Sequence, residues 1–154
     1  MRYTRQLATA ALIVAAGLGM GACSAHPGAA VVSSSGSYSN EEVAQAAQQM
    51  SVLMGGQQIA DAQIRTQLVN LPLLEAAGAS VGAEVSDEQI DQIAARASEQ
   101  LGDQSLGTLG PATRATVKSL LLTQNLNQVA QSNPAAGQQL DQVLAQARDS
   151  SDVR

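Results

Sequence analysis

The sequence predicts a mainly α protein: a small bundle of about five amphipathic helices behind a targeting segment and a spacer, with one stretch suited to a short N-terminal β-strand. Three observations predict it. From residue 40 onward, apolar residues recur at the 3.6-residue helical spacing. Each periodic run opens on a helix-start signal, and the first four close at a glycine or ahead of a proline. Of the 154 residues, 28 are Ala and 19 are Gln, both good helix formers. The aromatic residues are Tyr3 and Tyr38 alone, so a core must be built from Leu, Ile, Val, Met and Ala. The length suits one domain with appendages.

The N-terminus reads as an export signal. Arg2 and Arg5 give a positive start, and an uncharged, largely apolar run from Leu7 to Ala22 follows. Sixteen residues fall short of the roughly 20 that span a bilayer as a helix, and suit a signal peptide that ends in small residues. The run Leu18-Gly19-Met20-Gly21-Ala22-Cys23 resembles the lipobox of bacterial lipoproteins. That resemblance implies cleavage before Cys23 and a diacylglyceryl group on its thiol. Cleavage there leaves six Lys and Arg against thirteen Asp and Glu, a side-chain charge of −7. Such a chain has no electrostatic pull toward anionic headgroups, so the acyl chains must do the anchoring.

Residues 23–39 are rich in Ser, Gly, Ala and Pro and are expected to form a flexible tether. Within them Ala29-Ala30-Val31-Val32 has the composition of a short strand, given an edge to pair with. His26 lies three residues beyond Cys23; acylation removes the thiolate, so the tether holds no metal site.

Helix one opens at Ser39-Asn40-Glu41-Glu42 with capping-box spacing, carries Val43, Ala46, Ala47, Met50, Leu53 and Met54 on one stripe, and stops at Gly55-Gly56. Helix two starts near Asp61, with Ile64, Leu68, Leu71, Leu74 and Ala77 as its stripe, and is expected to end at Gly78. Pro72 lies inside it and predicts a kink or break near Asn70. Helix three opens at Ser86, three residues before Gln89, and points Ile90, Ile93, Ala94, Ala97 and Leu101 inward before Gly102. A turn-rich loop covers 103–110. Helix four begins at Pro111 and carries Val117, Leu120, Leu121, Leu126 and Val129. Asn133-Pro134 opens helix five, with Leu140, Val143, Leu144 and Ala147 on one side. Residues 149–154 read as a polar tail.

Little in this body suggests chemistry. It has no histidine, so no serine or cysteine there can pair with an imidazole base. The acids Glu41, Glu42, Glu84, Asp87, Glu88 and Asp91 gather at helix starts, where the dipole accounts for them. Asp87-Glu88-Gln89-Ile90-Asp91 lacks the order of a calcium loop. No phosphate-binding glycine motif is present. The shortage of cations and of aromatic rings excludes nucleic-acid binding by charge or stacking. The expectation is a non-enzyme with no cofactor, metal, nucleic acid or small-molecule substrate. Met50 and Met54, one turn apart, either fill an aromatic-free core or line an adaptable groove.

The order of elements carries a resemblance. Tyr38-Ser39-Asn40-Glu41-Glu42-Val43 opens a helix, Gln67-Leu68-Val69-Asn70-Leu71-Pro72-Leu73-Leu74-Glu75-Ala76-Ala77-Gly78 follows, and Val85-Ser86-Asp87-Glu88-Gln89-Ile90-Asp91 opens another. With Val117 to Leu126, these segments resemble the SurA-type chaperone domain over residues 30 to about 130. The resemblance implies an extracytoplasmic holdase for unfolded or exported polypeptides, related to the helical parts of SurA, PrsA and trigger factor. The chain has no room for the parvulin domain often joined to this one and lacks the histidines and aromatics of its site, so neither that domain nor prolyl isomerase activity is expected. In that family the Val-rich start commonly pairs with a strand near the C-terminus; whether Val153 supplies one is left open. The domain plan is a signal peptide at 1–22, a lipid-anchored tether at 23–39, a helical domain at 40–148 and a tail. Its peptide-binding groove is expected between helices one, two and four, at Met50, Met54, Leu71 and Leu121. The alternative expectation is a non-catalytic adaptor that docks one envelope protein. Both place the protein on the extracytoplasmic face of the cell membrane, held there by its lipid. Replacing Cys23→Ala should abolish fatty-acid labelling and leave the precursor at full length, as read by metabolic labelling and gel mobility.

Overall fold

A computed structural model describes residues 29–102 and 106–151; the signal peptide, Cys23, His26 and residues 152–154 lie outside the described residues. The chain enters as an antiparallel hairpin, β1 (Ala29–Ser33) and β2 (Gly36–Ser39). Five helices follow: α1 (Asn40–Leu53), α2 (Asp61–Val81), α3 (Asp87–Leu101), α4 (Pro111–Ser132) and α5 (Pro134–Ser151). The mainly α bundle with a short N-terminal strand is therefore the observed architecture.

The hairpin corrects the expected tether. The edge that Ala29–Ser33 requires comes from Gly36–Ser39, which begins seven residues after the start of β1. Val31 and Tyr38 face each other across the ladder and are both buried, while Val32 points outward. One cross-strand apolar pair thus plugs the sheet into the bundle. Ser39 ends β2 and caps α1: its hydroxyl accepts from the Glu42 N–H at 3.1 Å, and the Glu42 carboxylate accepts from the Ser39 N–H at 2.7 Å. Hairpin and first helix are therefore joined with no intervening loop.

Helix α2 runs from Asp61 to Val81 through Pro72, so of the kink or break expected near Asn70 the break does not occur. Proline removes one backbone bond, but α2 buries Ile64, Leu68, Leu71 and Leu74, and tertiary packing outweighs local propensity. The helix also passes Gly78, its expected end, and stops at Gly82 in the left-handed conformation, with φ 68°. Gly78 serves packing instead. A Cβ there would stand 2.9 Å from Leu122 Cδ2 and 3.1 Å from the Ala83 carbonyl oxygen.

Helix α4 is central, packing against α1, α2 and α5 and, more sparsely, against α3. Its buried positions are largely small or hydroxylated, Ala112, Thr113, Ala115, Thr116 and Ser119, joined by Val117, Leu122 and Leu126. Leu120, Leu121 and Val129, expected in its apolar stripe, are only partly buried. The hydroxyls all find acceptors. Thr116 donates to the Ala112 carbonyl at 2.8 Å, and Ser119 donates to Gln67 at 2.7 Å. Gln49 holds the segment before α4. Its amide donates to the Leu106 and Thr108 carbonyls, and its oxygen accepts from the Gly110 N–H and the Thr113 hydroxyl. This tie keeps Leu106 and Leu109 buried. Asn133 accepts from the Ala135 and Ala136 N–H groups to start α5, which continues to Ser151, past the expected start of the tail at 149.

Replacing Gly78→Ala should lower stability by about 1–2 kcal/mol, because the gain in helix propensity is smaller than the clash with Leu122. Gln49→Ala should cost about 2 kcal/mol by orphaning two donors and two acceptors of a half-buried loop. Urea unfolding measures both.

Candidate functional site

The four expected groove residues do not come together. Met50 is 4% exposed and Leu71 2%, and both belong to the sealed core. Met54 caps the C-terminus of α1 at 48% exposure, beside Gly55 and Gly56. Leu121 is the exception: it lines an open furrow, though that furrow lies between α3 and α4 rather than among α1, α2 and α4. The methionine pair divides because the helical stripe of α1 ends where the helix does, leaving its last residue in solvent.

The furrow arises from the way α3 is attached. Ser86 caps α3 by accepting from the Gln89 N–H, while Gln89 accepts from the Ser86 N–H at 2.9 Å. Arg114 on α4 then pins the first turns through Asp91, with Asp87 at 3.8 Å. Of the inward stripe expected for α3, Ile90 alone is fully buried; Ile93, Ala94, Ala97 and Leu101 stay partly exposed. Thus α3 is fastened at its N-terminal end and stands off α4 further along. The gap holds about 190 Å³, with Val85, Ile93 and Leu121 as apolar walls and Gln89, Gln92, Asn125 and Arg96 at the rim. Sequence periodicity marks the apolar face of α3, but which part of that face finds a partner depends on the angle between two helices. That angle is set by contacts remote in sequence.

A second polar constellation joins three elements. Ser35, at the hairpin turn, donates to Glu75 Oε2 at 2.6 Å, and Lys118 Nζ donates to Glu75 Oε1 at 2.6 Å. Partial burial pushes the Glu75 carboxyl up, but the Lys118 and Ser35 hydrogen bonds and the Lys118 charge outweigh it and hold the group below its ordinary value. Burial, reinforced by the Glu75 and Glu42 carboxylates, pushes the nearby Tyr38 phenol up. An ionised carboxylate already saturated by two donors is a poor general base. The trio therefore acts as a latch that fastens the hairpin to α2 and α4.

Among the described residues, no group of three or more His, Cys, Asp or Glu side chains is placed to hold a metal ion, and no helix is long and apolar enough to cross a membrane. The expected lipid site, Cys23, is outside the described residues. Compared with protein-family models, curated proteins and solved structures, the chain matches none.

A carboxylate held below its ordinary value adds stability that is complete above its unfolded pKa and is lost as pH falls through the folded one. Glu75→Gln should therefore unfold more easily than the parent at pH 7, and the two should converge in urea titrations as pH drops below 4.

Proposed function

We propose that this chain is a lipid-anchored, extracytoplasmic polypeptide-binding protein of the holdase kind, without catalytic residues. Three lines support the reading: the lipobox-like run ending in Cys23, the resemblance of residues 30–130 to the SurA-type domain, and the furrow between α3 and α4. The furrow carries the argument. Its apolar walls accept about one large side chain, and its side-chain amides can both donate to and accept from a bound backbone. At about 190 Å³ it lies below the roughly 300–1,000 Å³ of sites that enclose small molecules, which disfavours a metabolite as ligand. A shallow grip on single apolar side chains gives weak, fast-exchanging contacts, as holding unfolded clients requires.

The test is suppression of client aggregation by the full chain, with a furrow variant beside it. Leu121→Glu places a charge on the apolar wall and should cut suppression several-fold. Met54→Gln, on α1, should leave it unchanged. Circular dichroism melts check that both variants stay folded. In cells, a photo-crosslinker near Leu121 should capture many exported polypeptides. One dominant adduct would instead assign the protein as an adaptor for a single envelope partner, and no suppression at several-fold molar excess would overturn the holdase reading.

A further inference from the structure

Arg96 is set apart from Arg65, Arg114 and Lys118. Arg114 is paired with Asp87 and Asp91, Lys118 with Glu75, and Arg65 donates to Asn40. Arg96 makes no ion pair or hydrogen bond among the described residues, and it stands at the rim of the α3–α4 furrow. The other rim residues, Gln89, Gln92 and Asn125, are neutral amides, so among the described residues lining the furrow this guanidinium is the only charge bordering the apolar walls.

Resting on the polypeptide-binding reading above, we propose that the furrow takes the C-terminal end of a polypeptide whose last side chain is aliphatic. The terminal carboxylate pairs with Arg96, and the side chain enters between Ile93 and Leu121. Size and charge together carry this choice. The cavity admits about one large side chain, so the apolar group and the anion must sit close together on the ligand. Within an extended chain, adjacent side chains point to opposite faces and the next one on the same face stands about 6.6 Å further along, so an apolar side chain and a carboxylate on different residues lie well apart. At a chain end the same residue bears both. A guanidinium fork meets a carboxylate with two parallel N–H donors, a geometry that a point charge does not reproduce. The Gln92 and Asn125 amides remain for the last peptide group.

The experiment titrates the purified full chain with three fluorescein-labelled decapeptides of one composition. One ends in Ala-Leu with a free carboxylate, the second is its C-terminal amide, and the third carries the leucine in mid-chain and is amidated. Fluorescence anisotropy at low salt should show the free acid binding about tenfold more tightly than either amide, a gap that narrows as salt rises. Arg96→Gln should bring the acid to the affinity of its amide, and Arg96→Lys should recover part of the difference. Equal affinity for all three peptides, or a preference that survives Arg96→Gln, overturns the terminal-carboxylate assignment and leaves polypeptide binding standing. Binding of none of them at millimolar concentration overturns both.

Discussion

Without Phe or Trp, this chain cannot fill its interior with large rings, and its stability depends on bringing helices close enough that small side chains suffice. The close approach of α4 to α2 and α1 meets that constraint. Gly78 lets Leu122 lie almost on the α2 backbone, and Ala112, Thr113, Ala115, Thr116 and Ser119 give α4 a narrow profile toward its neighbours. Narrow helices trade volume for proximity, keeping the interior dense with aliphatic groups alone. The arrangement brings hydroxyls inside, and each must find an acceptor there. Gln49 and Gln67 provide for two of them, and among the described residues no buried side-chain polar atom lacks a partner.

Fastening, rather than packing, governs the two peripheral elements. The hairpin is held through the inward pair Val31 and Tyr38 and through the Ser35–Glu75–Lys118 latch. Helix α3 is held by Ile90 and by the grip of Arg114 on its first turns. Exposed ion pairs contribute little to stability, so α3 depends mainly on Ile90, with Ala94, Ala97 and Leu101 only partly buried against the core. The furrow follows from this sparse attachment. A helix whose apolar stripe is longer than the surface offered to it keeps part of that stripe available.

Local signals in the sequence are explicit, and most boundaries could be read from them. The capping boxes at Ser39 and Ser86, proline at the start of α4 and asparagine ahead of α5 all stand where local chemistry places them. The missed features are those decided by tertiary contacts. Pro72 reads as a break because its missing N–H is a local fact, whereas the packing that carries α2 past it is not. Gly78 reads as a stop because close approach to Leu122 involves a residue 44 positions away. The hairpin escaped notice because Gly36-Ser37-Tyr38-Ser39 looks like spacer until Tyr38 has a pocket to enter. At the site, Leu121 was accessible from the pattern, whereas Met50 and Leu71 are sealed by neighbours that periodicity does not identify. The resemblance to a known chaperone domain rests on caps and apolar spacings, features that many helical chains share.

The point where β1 begins also bears on geography. Five residues lie between Cys23 and Ala29, the first residue of β1, and a stretch that short spans at most about 20 Å. Under the proposed acylation, the body is moored close inshore, with a working range of little more than its own diameter above the headgroups. Its catch would be whatever emerges at the bilayer, while traffic further out in the envelope passes beyond its reach.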